Sequence, residues 1–161
     1  MSEPGTDFEQ RLRELGFSLP APVAPSYHYS AVVRRGAQVF VSGQLPWQDG
    51  AIAVTGLLGA DLTTEQGVLA ARLCGLQALA QLKHALGRVD GMVELGAVTV
   101  YVASAPAYRE QARVADGASE LFTGALGAAG KHSRVAVGVA SLPRNAAVEL
   151  ALTGVLAGQH D

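Results

Sequence analysis

An α+β fold, with a mixed β-sheet and two long helices on one of its faces, is what this sequence predicts. Three observations predict it. Apolar residues recur at helical spacing through Leu69–Leu86 and again through Tyr108–Leu126. Segments such as Glu94–Ala103 and Arg134–Ala140 alternate instead with the period of two expected of strands. The two kinds of segment interleave in the order strand, strand, helix, strand, helix, strand, strand, which one mixed sheet covered by helices accommodates best.

Taken in order, Thr6-Asp7-Phe8-Glu9 has the spacing of a capping box, and Phe8, Leu12 and Leu15 follow at helical intervals up to Gly16. That predicts a short N-terminal helix. Its apolar stripe could rest on its own subunit, on an oligomer edge or on a partner. Leu19 to Pro25 holds three prolines in seven residues and reads as an extended connector. Tyr29–Val33 and Gln38–Ser42 flank Arg34-Arg35-Gly36-Ala37 as a hairpin, with a weak strand at Ala51–Thr55. Trp47, after Pro46, is placed in a loop as a packing or interface residue. Thr63 and Gln66 form a capping box opening the first long helix, which directs Leu69, Leu73, Leu76, Leu79, Leu82 and Leu86 to the core and closes at Gly87. Glu94–Ala103 is apolar on both faces, as a central strand should be. Ser104 is read as the cap of the second long helix, with Pro106 in its first turn.

The most informative stretch comes last. In Ser133–Pro143, Val135, Val137 and Val139 share one face while Arg134, Ala136, Gly138 and Ala140 share the other, so one guanidinium stands on a small, nearly bare surface. Beyond the turn Leu142-Pro143-Arg144-Asn145, the strand Ala147–Leu152 carries a single charge, Glu149. Read as adjacent strands of a hairpin, the pair suggests a site for a small planar anion. The alternative is that the two charges neutralise one another, and a symmetrical turn sets Glu149 nearer Gly138 than Arg134. A shared site would then need a bulge or a neighbouring chain.

Composition bounds the function. The 161 residues are expected to form one domain, 1–161, with an N-terminal helix and connector over 1–23 and a core over 24–156. Apolar residues at 49% and charged residues at 16% indicate that part of the surface is covered by another subunit. A net charge of −2 provides no footprint for nucleic acid or an anionic membrane, and no apolar run is long enough to span a bilayer. With a polar, acidic start, a cytoplasmic location is expected. Cys74 is the only cysteine and is expected to be buried and inert. His28, His84, His132 and His160 show no metal-ligand spacing, and no phosphate-binding glycine fingerprint or nucleophile elbow is present. No metal or cofactor is expected.

The Tyr27 segment, Phe40-Val41-Ser42-Gly43-Gln44-Leu45-Pro46 and the closing Arg134…Leu142-Pro143…Glu149 stretch together resemble the RidA/YjgF family of small trimeric proteins. The similarity is greatest to a branch ending in Val-Gly-Val-Ala-Ser-Leu-Pro-x-Asn-Ala-Ala-Val-Glu, here Val137 to Glu149. The resemblance implies a chorismate-mutase-like fold, a homotrimer, a cleft at each subunit interface, and hydrolysis of reactive imines or enamines to 2-oxo acids and ammonia. By position it implies that Arg134 holds the substrate carboxylate, Glu149 orients or activates water, and Tyr27 belongs to the site. Ser42, Gly43, Ala136 and Asp116 would line the substrate. Tyr27 reads equally well as a packed aromatic, and Ser42-Gly43 as a strand-ending turn. Asp116 stands where the deaminating branch usually has asparagine, and Ala136 where it has cysteine. Three functions are therefore carried forward: an imine deaminase, a non-catalytic module binding a small carboxylate, and, ranked last, a ribonuclease or translation inhibitor.

Overall fold

Burial alternates along the last strand of the chain, with Val148, Leu150, Leu152 and Leu156 inside and Glu149, Ala151, Thr153 and Val155 only partly covered. The sheet therefore has one face under the helices and one open face. In the computed structural model, which describes residues 8–158, the elements run α1 (Phe8–Glu14), β1 (Val32–Arg35), β2 (Gln38–Gln44), β3 (Trp47–Gln48), β4 (Ala51–Ile52) and α2 (Thr64–Leu86). There follow β5 (Val93–Ala103), α3 (Gln111–Leu126), β6 (Ser133–Val139) and β7 (Val148–Leu156). The main sheet has the order β1-β2-β7-β5-β6, parallel only between β5 and β6, and β3 and β4 make a separate small ribbon. This is the expected α+β architecture, with α2 on β7 and β2, and α3 on α2, β6 and β5.

Local signals account for the helices. Thr63 and Gln66 make the reciprocal capping box of α2, and Gly87 ends it in the left-handed conformation with φ 80°. Leu73, Leu76, Leu79, Leu82 and Cys74 are buried, each large side chain contributing about 1.5–3 kcal/mol by its removal from water. Leu69 departs from the expectation. It lies on the face shared with Glu65, Gln66 and Arg72 and is exposed, because the buried arc of α2 is completed by Gly67, Ala70, Ala71 and Ala78. Small residues there let α3 come close: a Cβ at Gly117 would lie 2.2 Å from the Val68 carbonyl oxygen. α1 docks on α3 through buried Phe8 and Leu12, which favours the intrachain use of its apolar stripe. Thr6 and Asp7 of its expected capping box lie outside the described residues.

Four expectations are corrected. The first hairpin turns on Gly36-Ala37 alone, so β1 reaches Arg35, opposite Gln38. Trp47 pairs with Ile52 in the small ribbon instead of lying in a loop. Ser104 does not cap α3; its hydroxyl donates to the Val102 carbonyl. The chain beyond it is held by Leu58 through backbone bonds and by Tyr108 against Thr64 at 2.8 Å, so the helix starts only at Gln111. Finally, β6 and β7 are not a hairpin. The segment between them crosses the end of β5, with Ser104 N–H donating to Val139 O and Ala103 N–H to Ala147 O, so that β5 lies between the two strands. β5 is hydrogen-bonded along both edges with only its Val98, Val100 and Val102 face buried, and its central position excludes contact between its neighbours.

Candidate functional site

The register across β5 separates the two charges that sequence reading had placed together. Val98 lies between Arg134 and Leu152, whereas Tyr101 lies between Val137 and Glu149. Partners across a ladder share a face, so Arg134 is on the helix-covered side with buried Val98, and Glu149 is on the open side with Tyr101. In one chain the two can neither neutralise each other nor flank one ligand.

Glu149 lies in a cleft of about 350 Å³ with Tyr27, Tyr29, Gly43, Gln44, Leu45, Trp47, Pro143 and Arg144 among its lining residues. The β2–β7 ladder shifts register between Val41 and Gln44, which sets Ser42 and Gly43 in a bulge beside the carboxylate. Glycine at 43 is what lets the carboxylate sit here: a Cβ there would lie 2.1 Å from Glu149 Oε1 and displace it. Desolvation raises the Glu149 carboxyl above its ordinary value of 4.5, so it is protonated over more of the pH range than a surface acid. Below it, burial first and the Glu149 charge second push the Cys74 thiol up, in keeping with an inert cysteine.

The cleft's rim is tied down by side chains that sequence reading passed over. Buried Gln77 accepts from Val23 N–H at 3.3 Å, and buried Gln81 donates to Val23 O at 2.7 Å, pinning the proline connector to α2. The Ser42 hydroxyl donates to Ser30 O at 2.7 Å and anchors the Tyr27 segment to the bulge. Tyr27 itself is 78% exposed, so in one chain it is not a packed aromatic. Two glutamines inside a leucine-rich helix were the available signal, since buried amides need partners.

Arg134 belongs to a second patch, at the β6 edge. It donates to Asp116 Oδ1 at 2.7 Å, to Ser119 Oγ at 3.1 Å and to the Ala112 carbonyl at 3.2 Å, while the rest of its five donors remain for a ligand. Ser119 also bonds His132 Nε2 at 2.8 Å, and His132 Nδ1 lies 2.6 Å from Gly130 O, so the guanidinium is oriented from behind. Asp116 is thus the ion-pair partner of Arg134, and Ala136 follows two residues along the same strand face. The structure brings Tyr27, Gly43 and Glu149 together, with Ser42 adjacent. It brings Arg134 and Asp116 together, with Ala136 on the same strand face, and keeps the two groups apart within one chain.

The open face of the sheet exposes large apolar side chains, with Val135 55%, Phe40 40% and Val137 37% exposed. Among the described residues no helix is long and apolar enough to cross a membrane.

Residues 9–156 match the family model described as "YjgF/chorismate_mutase-like, putative endoribonuclease". A Trypanosoma cruzi protein named TCP17 is 46% identical over 140 residues, covering 86% of this chain and 88% of the relative. The crystal structure of Atu1372 from Agrobacterium tumefaciens, a protein of unknown function, is 43% identical with a TM-score of 0.86, covering 92% of this chain and 91% of that one. A Shewanella oneidensis MR-1 structure bearing the same endoribonuclease description is 33% identical with a TM-score of 0.89, covering 93% and 99%.

Proposed function

The chain belongs to the YjgF/RidA family, of chorismate-mutase-like fold, and from that premise and the geometry above we propose that it is a homotrimer hydrolysing reactive 2-imino or enamino acids to 2-oxo acids and ammonia. The observation that carries this reading is Glu149, a desolvated carboxyl held against Gly43 in a cleft bordering an uncovered apolar face. Its natural complement is the Arg134 edge of a neighbouring copy, since each chain offers one half of a site and the open face supplies the apolar surface for assembly.

In the proposed reaction the spare N–H donors of one subunit's Arg134 hold the substrate carboxylate in the two-point geometry a guanidinium allows. Glu149 of the next subunit, as carboxylate, takes a proton from water while the oxygen attacks the C=N carbon. The proton passes to nitrogen to give the carbinolamine, whose hydroxyl proton then transfers through Glu149 to the amino group, so that ammonia leaves with the C–N electron pair as the C=O bond of the 2-oxo acid forms. Tyr27 covers the cleft, and the Gly43 N–H with Ser42 borders the substrate. No metal or cofactor enters these steps. Asp116 competes with the substrate for Arg134, so binding is weaker than an uncompensated arginine would allow. The chain is read as cytoplasmic. A carboxylate-binding module without turnover would use the same two halves. The endoribonuclease description finds little support in a chain of net charge −2.

Release of 2-oxo acid from freshly generated imines tests the chemistry, and co-expression tests the shared site. At substrate concentrations well below saturation Glu149→Gln and Arg134→Lys should each be strongly impaired alone, whereas randomly mixed trimers should regain wild-type activity at about a quarter of their interfaces, because a cyclic interface takes one half-site from each neighbour. No release from any imine rejects the deaminase. Release by wild type without recovery on mixing rejects the interface site.

A further inference from the structure

The Glu149 cleft contains a cation for which the proposed hydrolysis has no use. Arg144 lines it with Tyr27, Trp47, Pro143 and Glu149. Its backbone is left-handed, at φ 58° and ψ 23°, and Asn145 follows at φ 57°, a conformation that residues other than glycine seldom adopt. Such outliers concentrate at ligand sites. The guanidinium carbon lies 5.1 Å from the centre of the Trp47 ring, a stacking contact that holds the planar group in place.

Among the described residues no carboxylate lies within ion-pairing distance of Arg144, in contrast to Arg134, which is paired with Asp116. Glu149, although it shares the cleft, is perturbed by desolvation alone and not by a neighbouring cation. An unpaired, stacked guanidinium beside a desolvated acid is a ready receptor for an anion that is not part of the protein. The substrate's first carboxylate is already assigned to Arg134 of the neighbouring chain.

We infer that Arg144 binds a second carboxylate of the substrate, so that the cleft selects 2-imino acids with an acidic side chain over those with neutral ones. This rests on the deaminase reading for the reaction but not for the binding. Arg144 also offsets the site's own charge, where Arg134 alone would face both Glu149 and Asp116.

The test is calorimetric titration of 2-oxoglutarate and 2-oxobutyrate into the full-length wild type, Arg144→Gln and Arg144→Gly, the last suiting the left-handed backbone should glutamine fold poorly. Wild type should prefer the dicarboxylate, and both variants should lower the ratio of dicarboxylate to monocarboxylate affinity by about tenfold or more, the size of one lost charge-assisted contact. Arg134→Lys should weaken both ligands and leave the ratio nearly as it was. Equal wild-type affinities, no wild-type binding of either ligand, or an equal weakening of both by the Arg144 variants overturns the inference. Turnover keeps the two readings distinct. A dicarboxylate preference that depends on Arg144, without 2-oxo acid release from the imines of glutamate or 2-aminobutyrate, removes the deaminase and keeps the subsite. Release with no such preference does the reverse.

Discussion

The Glu149 cleft and the Arg134 edge use opposite strategies for holding a charge. Glu149 is desolvated, pressed against a glycine in a bulge, and has no cation at ion-pairing distance among the described residues. Arg134 is oriented by a carboxylate, a hydroxyl and a carbonyl before any ligand arrives. A group that must exchange a proton needs a shifted affinity for it, which burial provides. A group that must grip a carboxylate needs a fixed direction, which hydrogen bonds provide. On the proposed reading, the contrast puts chemistry in the cleft and anchoring at the edge.

The largest expected effect would break the contrast on the cleft side. Gly43→Ala introduces a Cβ where Glu149 Oε1 lies, but the obstructing atoms end a flexible side chain, so the carboxylate can swing aside at little cost to the fold. Turnover should fall about a hundredfold, the penalty for moving a reacting group by an ångström, while the melting temperature stays within about 2 °C of wild type. A large loss of stability would mean that the glycine serves the fold.

On the edge, Arg134→Lys keeps the charge and loses the fork. Affinity for small carboxylates should drop roughly ten- to a hundredfold while sedimentation matches wild type. Unchanged affinity would strip Arg134 of the anchoring role. Asp116→Asn sharpens the same comparison from the other direction. Removing a half-exposed competing carboxylate is worth at most about 1 kcal/mol, so carboxylate affinity should rise by up to about fivefold. A decrease would show that Asp116 matters more as a positioning partner than as a competitor.

The smallest effect concerns stability. Burial raises the folded-state pKa of Glu149 above its unfolded value, so between the two the folded protein binds more protons and loses stability as pH rises. The destabilisation is absent below the unfolded pKa and complete above the folded one. Glu149→Gln should therefore melt slightly higher than wild type at neutral pH, by under about 2 °C given the partial exposure, and the difference should vanish in acid. Thermal melts across the carboxylate range check this, and a variant that melts lower at neutral pH would mean Glu149 is stabilised by a partner.

Much of this contrast was legible residue by residue. Arg134 and Glu149 stand out as lone charges on otherwise apolar strands, and Thr63, Gln66 and Gly87 mark α2 because capping is decided within a few residues. Arg144 was visible only as a turn residue, since its left-handed backbone and its stacking on Trp47 depend on a chain crossing the end of β5. Ser104 had the chemistry of a cap, but pairing of the following segment with Leu58 delayed the helix.

Strand and helix identity, the two long helices on one face and the two lone charges followed from the sequence, because periodicity and capping are local properties. Which strands are neighbours, and hence which face each charge occupies, did not follow. That was decided by β5 entering between β6 and β7, where its backbone is hydrogen-bonded along both edges and its Val98, Val100 and Val102 face is buried under the helices. Strand order is settled by such pairing across the whole sheet. No pattern confined to Ser133–Glu149 records its outcome.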